Sequence, residues 1–160
     1  MMRALACAAL LLTAACSTPT GTQNAATTLC HVLAGKADRG CTPGVLNPNV
    51  TQDNIKTTIC KPGWTATIRP PSAYTNLLKS SQMRDYGETG PLTDFEEDHL
   101  IPLAVGGSPT DPHNLWPEPW DGPTGAHRKD TDEVRTQHDI CAGRITLKQG
   151  QDTTLAQWSR

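Results

Sequence analysis

The chain has 160 residues, which is enough for one domain and a short targeting segment. Its 14 basic and 16 acidic side chains give a net charge of −2, which disfavours a protein that coats nucleic acid through a uniformly basic surface. A local basic groove is still compatible with this balance, because the field depends on where the charges lie. The 13 glycines, 13 prolines and 4% aromatic residues predict a small, loop-rich domain with a modest core.

The first residues predict an export signal. A charged start and the apolar run Ala4–Leu12 are followed by small residues, and the run is shorter than the roughly 20 residues that span a bilayer. We therefore expect a signal peptide of the lipoprotein type at residues 1–15, because Leu12-Thr13-Ala14-Ala15-Cys16 resembles a bacterial lipobox. Ordinary cleavage after Ala15 is the alternative, since Thr13 stands where that motif more often has leucine.

Export also sets the expected location of the mature chain. Lipidation of Cys16 would make the protein a cell-envelope lipoprotein, held at the membrane by its N-terminal lipid alone, with no transmembrane helix in the mature chain. Without the lipid, the protein would be secreted or periplasmic. Residues 16–29 are small and polar and predict a flexible tether, and residues 30–160 form the expected domain.

The cysteines of the domain predict disulfide bonds. Cys30, Cys41, Cys60 and Cys141 contain no CxxC pair, which disfavours a zinc ribbon, and an exported chain favours their oxidation. Four cysteines permit three connectivities. The spacing favours Cys41–Cys60 with Cys30–Cys141, because the first pair brackets one compact segment; free buried thiols are the alternative.

Turn residues divide the first half of the domain into short pieces. Residues 57–59 and 64–68 resemble strands, and Pro70-Pro71 ends the second of them. Ser72 is a suitable N-cap for a helix that runs to about Arg84 and carries Leu77 and Leu78 inward.

The second half predicts two strands and two helices. The expected elements are a strand over 94–103, a glycine-containing loop over 103–112, a short strand over 114–116, a helix from about 124 to 141 and a last helix over 147–158. Gly143 is the predicted C-cap residue of the first of these helices. His127, Val134 and Cys141 lie seven residues apart on one helix face, which predicts that His127 points inward.

The order of polar residues in residues 95–130 carries a family resemblance. Its elements are Asp98-His99-Leu100-Ile101-Pro102, then Gly106-Gly107, then Asn114-Leu115, and then His127 followed two residues later by Lys129. This pattern resembles the HNH endonucleases, whose metal site is a ββα finger, in a small exported lipoprotein-like form. The resemblance implies an α+β fold: a small disulfide-stapled domain built around this finger, with its core motif over 95–141 and short extra strands and helices.

The resemblance also implies a role for each residue. His99 is the expected general base that activates water, Asp98 and His127 the ligands of one divalent metal, and Asn114 the residue that holds the His99 region in place. The metal is Mg, Mn, Ni or Zn, because mixed oxygen and nitrogen ligands admit all four. Arg128 and Lys129 are expected to contact phosphate.

One further candidate residue, Glu96, is predicted from the alternation of side chains along the strand rather than from the family resemblance. Glu96 shares a strand face with Asp98, so it is expected either to support the metal ligands or to be solvated. The same alternation points Asp98 and His99 to opposite faces, so both reach one site only if the strand twists at its end.

These features predict an exported, metal-dependent endonuclease that hydrolyses phosphodiester bonds of nucleic acid, with DNA the favoured substrate. Two departures from the family are visible: the gap from Asn114 to His127 is longer than usual, and no cysteine quartet is present for a structural zinc. The alternative is a non-catalytic envelope lipoprotein that uses the finger as a binding scaffold.

Overall fold

The computed structural model describes residues 30–32 and 34–160. The predicted signal peptide over 1–15, the lipidation site Cys16 and the tether over 16–29 therefore lie outside the described residues. Within the described part, the helices are too short or too polar to cross a membrane.

Four α-helices and one pair of strands form the described fold. In chain order the elements are α1 (Trp64–Ile68), α2 (Ser72–Asp85), β1 (Phe95–His99), β2 (Leu115–Pro119), α3 (Ala126–Cys141) and α4 (Leu147–Trp158). Short 3₁₀ turns lie between them. The prediction of a small α+β domain with disulfide bonds is confirmed at this level.

The two strands form an antiparallel pair whose ends bring the predicted polar residues together. Phe95 pairs with Pro119 and His99 with Leu115. The chain between the strands, residues 100–114, turns back through a 3₁₀ turn at Leu103–Val105. Helix α2 packs against both strands, and α3 follows directly after β2. The strand–loop–strand–helix order expected from the sequence is therefore present.

The core consists of two apolar clusters that meet at the loop after β1. Leu100 belongs to a cluster with Tyr86, Trp116 and Trp158. The next residue, Ile101, belongs to the other cluster, whose further buried members are Val50, Ile55, Ile59, Val105, Ile140 and Leu147. Because consecutive residues are buried in different clusters, the backbone immediately after His99 is held from both sides.

The disulfide bonds differ from the favoured pairing. Cys30 is bonded to Cys41, and Cys60 to Cys141. The C-terminal part of α3 lies beside the turn that carries Cys60: Gln137 Nε2 donates to the Ile59 carbonyl at 2.6 Å, and Lys56 Nζ donates to the Cys141 carbonyl at 2.8 Å. The spacing of the cysteines contains no information on this long-range packing, so the pairing predicted from it, Cys41–Cys60 with Cys30–Cys141, is wrong.

Three local predictions are wrong for related reasons. Residues 57–59 form a turn, and residues 64–68 form helix α1. The residue before this helix, Gly63, has a left-handed backbone conformation. Leu77 lies on the exposed side of α2, with 76% of its surface accessible, and Met83 is the buried residue of that helix. β-branched residues favour strands only weakly, and tertiary packing overrides that preference here.

Candidate functional site

His99 ends β1 as a buried imidazole with one defined hydrogen bond. Its side chain is largely inaccessible, and its Nε2 lies 3.0 Å from the Pro109 carbonyl oxygen. A carbonyl oxygen can only accept, so Nε2 carries the proton. Burial lowers the pKa of His99 below its ordinary value, which favours the neutral ring. In that neutral tautomer Nδ1 holds the lone pair and is the basic atom.

Asn114 holds the loop that supplies this carbonyl. It is fully buried, its Oδ1 accepts from the Ile101 backbone N–H at 3.0 Å, and its Nδ2 donates to the Ile101 and Ser108 carbonyls at 3.0 and 2.9 Å. Ser108 precedes Pro109, the residue that accepts from His99. Asn114 therefore fixes the loop on which the orientation of the His99 ring depends.

Gly107 permits the close approach that this arrangement needs. A Cβ atom at this position would lie 1.7 Å from the Ile101 carbonyl oxygen and 2.8 Å from Asn114 Nδ2. Side chains of any size would force the loop away from Asn114. Glycine is required at position 107 because there is no space for a Cβ atom, and not because the backbone is left-handed.

Lys129 lies inside the protein and contacts the strand end rather than solvent. Its side chain is 3% exposed, it forms an ion pair with Asp98, and it donates to the His99 carbonyl at 2.8 Å. One ammonium group thus binds the two adjacent residues of β1 from α3. Burial alone would raise the pKa of Asp98, but Lys129 holds it below its ordinary value.

Glu118 is a buried carboxyl group that the sequence analysis missed. It is completely inaccessible, it lies 4.0 Å from Lys129 Nζ, and no N–H or O–H group of the described residues donates to its carboxyl oxygens. Burial, followed by the charge of the neighbouring Asp98, raises its pKa well above the ordinary value. Asp98 and Glu118 both face the Lys129 ammonium group, which makes the three side chains one connected group.

Asp98 and His99 line one cleft although they are neighbours on a strand. The cleft has a volume of about 320 Å³, and its polar lining comes from Arg69, Glu96, Asp98, His99, Asp130 and Glu133. The two α3 residues, Asp130 and Glu133, are three apart and share a helix face. The end of β1 is therefore twisted enough to present both residues to the same space.

Carboxylates dominate this cleft. Burial and then the charges of Asp98 and Asp130 raise the pKa of Glu96 to about 7. Burial raises the pKa of Glu133 to about 7, because Asp98 and Asp130 offset the opposing effect of Lys129. Their oxygens are the donor type that hard divalent cations prefer.

The structure does not bring His127 into the cleft. Its side chain is exposed on α3, and its ring lies against Trp120 with 5.1 Å between the ring centroids. His127 is exposed and does not line the cleft, whereas Ala126, Lys129 and Ile140 are buried. The prediction that His127 points inward is therefore wrong.

A ready three-ligand site is also absent. Among residues 30–32 and 34–160, no three His, Cys, Asp or Glu side chains come together in a group that could hold a metal ion.

The chain matches no protein-family model, no curated protein and no solved structure. The case for a function accordingly rests on the site itself.

The two basic residues expected to contact phosphate differ in position. Arg128 is 46% exposed and forms an ion pair with Asp132 at 2.9 Å, whereas Lys129 is buried against Asp98. Arg69, which the sequence analysis did not select, is the exposed cation that lines the cleft. Asp130 and Glu133 were also missed, although their three-residue spacing on a predicted helix is visible in the sequence.

Proposed function

We propose that the protein is an exported, metal-dependent endonuclease in which His99 is the general base. The observation that carries the proposal is the buried His99 ring, whose Nε2–H is bound to Pro109, whose Nδ1 is left basic, and whose pKa is lowered by burial, which favours the neutral form. A neutral imidazole in this state can take a proton from water near neutral pH. The hairpin and α3, joined in ββα order, support the resemblance to the HNH finger.

The residues around His99 support such a role. Asn114 fixes the loop that orients the ring, and Lys129 holds the carbonyl of His99 and the carboxylate of Asp98. In this proposal Lys129 positions the two reactive residues and does not contact phosphate. Arg69 is the cation at the cleft that could contact a phosphate group.

The donor set of the cleft fits a hard divalent cation. Asp98, with one carboxylate oxygen bound to Lys129, would hold the metal together with carboxylates of the facing helix, Asp130 or Glu133. A divalent cation, when bound, offsets the negative charge of a phosphodiester and of its leaving oxygen. The ligand implied by the family resemblance, His127, is favoured less, because its ring packs on Trp120.

The alternative is a non-catalytic scaffold, and one observation favours it. Lys129 already neutralises Asp98, and the described residues hold no group of three metal ligands. An envelope protein could retain the finger and bind another molecule without cutting it. Cleavage assays separate the two functions directly.

His99→Ala is expected to abolish metal-dependent cutting. General base catalysis is worth about 10²–10⁴-fold in rate, so nicking of supercoiled plasmid in Mg²⁺ or Mn²⁺ should fall by at least that lower factor. EDTA should stop the wild-type reaction. The matched control is His113→Ala, because the His113 side chain is 66% exposed and, among the described residues, hydrogen-bonds only to Asp111.

The proposal fails if folded wild-type protein cuts neither DNA nor RNA with any divalent metal. That result would favour the scaffold. If the His99→Ala variant still cuts and its cutting needs metal, the protein is a nuclease but His99 is not its general base. Near-UV circular dichroism of each variant checks that the fold is intact.

Metal binding should depend on carboxylates rather than on His127. Titration of Mn²⁺ by calorimetry is expected to lose its heat signal, or at least tenfold in affinity, in Asp98→Asn and in the double variant Asp130→Asn/Glu133→Gln. His127→Ala is expected to bind Mn²⁺ as the wild type does. The reverse pattern, with loss only in His127→Ala and Asp98→Asn, would establish the ligand pair of the family resemblance.

A further inference from the structure

Trp120 presents an aromatic ring to the same cleft as His99. It is half-buried and follows directly after β2, and with His99, Arg69 and Lys79 it lines a second cleft on the α2 side, which adjoins the first and shares His99 and Arg69 with it. The His127 ring supports it from α3.

The backbone of Trp120 is fixed on both sides. Its N–H donates to the Asp94 carbonyl at 3.0 Å, and its carbonyl accepts from the His127 N–H at 3.2 Å. The indole is thus carried by a position tied both to the turn before β1 and to α3. A ring held in this way loses little conformational entropy when a planar ligand packs on it.

Charge cannot supply much of the affinity for nucleic acid at these clefts. Five carboxyl groups line the two adjoining clefts: Glu96, Glu97, Asp98, Asp130 and Glu133. Lys79 is engaged by the backbone, because its Nζ donates to the Leu92 and Phe95 carbonyls at 2.8 and 2.7 Å. With a net charge of −2 for the chain, phosphate neutralisation is weak, and contacts to the bases must contribute more.

An aromatic platform reaches only bases that are not already stacked. Every nucleobase has a π face, so stacking on a side chain tolerates any sequence. The bases of a duplex are stacked on one another and must first be extruded, which costs free energy. A site that depends on stacking rather than on charge therefore selects single strands and unpaired segments.

We propose that Trp120 is a stacking platform for an unpaired nucleobase and that the substrate class of this site is single-stranded or locally unpaired nucleic acid. The inference rests on the proposed endonuclease function, since it assigns the ligand of the two clefts that share His99. It adds Trp120 to the substrate-binding residues and gives His127 a supporting role behind the indole.

Binding measurements test the inference without requiring cleavage. Fluorescence anisotropy would compare a labelled mixed-sequence 12-nucleotide single strand with the matching duplex, using His99→Ala protein in Mg²⁺ and wild-type protein in EDTA. The single strand is expected to bind at least tenfold more tightly than the duplex. Trp120→Ala should weaken single-strand binding by about tenfold or more, and Trp120→Phe by only a few fold, because the ring is kept.

The outcomes separate this inference from the proposed function. Equal affinity for duplex and single strand, or unchanged binding by folded Trp120→Ala protein, overturns the stacking role even if plasmid cutting is observed. If single strands bind in a Trp120-dependent way but nothing is cut, the binding site is supported and the proposed endonuclease function is contradicted. A loss of binding in Trp120→Phe equal to that in Trp120→Ala would also contradict stacking, provided that both variants keep the wild-type melting temperature.

Discussion

Asn114→Asp is expected to lower the free energy of unfolding by about 4 kcal/mol and to remove cleavage. The substitution preserves size and shape but replaces Nδ2, which donates to the carbonyls of Ile101 and Ser108, with an acceptor. The buried Ile101 carbonyl and the half-buried Ser108 carbonyl then lose their donor and face a carboxylate. Each buried group left unsatisfied costs about 1–3 kcal/mol, and burial of the new charge adds to this cost.

Urea unfolding at pH 7 measures the stability effect, and plasmid nicking measures the functional one. The matched control is Asn49→Asp, because Asn49 is exposed and its side chain makes no hydrogen bond among the described residues. Its unfolding free energy should stay within about 0.5 kcal/mol of the wild type. A change below 1 kcal/mol in Asn114→Asp would show that the loop is held without this side chain.

The sequence predicted the part of the site that depends on local order. Two strands form near the predicted ranges, but β1 is Phe95–His99 rather than 94–103 and β2 is Leu115–Pro119 rather than 114–116, so that Asp98 and His99 end β1 and Asn114 precedes β2. The gap between Asn114 and α3 changed none of this. Residues that act within one hairpin can be located from their spacing.

Residues on α3 could not be located in the same way. Successive helical residues are rotated by about 100°, so a pattern that places one residue inward says nothing about which neighbour packs on the strand. Here Lys129 takes the inner position because it satisfies Asp98, and this places His127 outside. The decision depends on a contact between residues 31 apart in sequence, which periodicity does not record.

The disulfide pairing and Glu118 illustrate the same limit. Spacing favoured Cys41–Cys60, whereas packing of α3 against the turn at Cys60 joins that residue to Cys141. Glu118 stands between two prolines in a short strand, a pattern that suggests an exposed edge, yet the α3 side of the strand buries it completely. Long-range contacts, rather than local propensity, determine both.

Stability is expected to decrease as the pH rises from 5 to 8, with the buried carboxyl groups of Glu97 and Glu118 as the main contributors. Burial raises the pKa of Glu97 to about 8, and its carboxyl oxygens have no hydrogen-bond partner among the described residues. A group whose pKa is raised in the folded state stabilises the fold fully below its unfolded value near 4.5. That stabilisation is lost as the pH rises toward 8, which corresponds to about 3–4 kcal/mol between pH 5 and pH 8.

Other titrating groups act in known directions. Glu96 and Glu133, with pKa values raised to about 7, add to the loss as the pH rises. The lowered pKa of His99 acts in the opposite direction, since its neutral form favours the fold above its unfolded pKa and that contribution is lost as the pH falls. Asp98 has a lowered pKa and titrates below the window. Because several carboxyl groups oppose one imidazole, the free energy of unfolding is expected to fall as the pH rises.

Glu97→Gln isolates the contribution of Glu97, because glutamine keeps the shape of the side chain and cannot ionise. Urea unfolding free energies should fall from pH 5 to pH 8 in the wild type and fall by about 3–4 kcal/mol less in the variant. Asp53→Asn, at an exposed carboxylate, should retain the wild-type slope. A wild-type protein that is more stable at pH 8 than at pH 5 would mean that the buried carboxyls ionise without cost. The acidic cleft would then give no reason for a cation to bind, and the carboxylate ligands proposed for the metal would lose their electrostatic support.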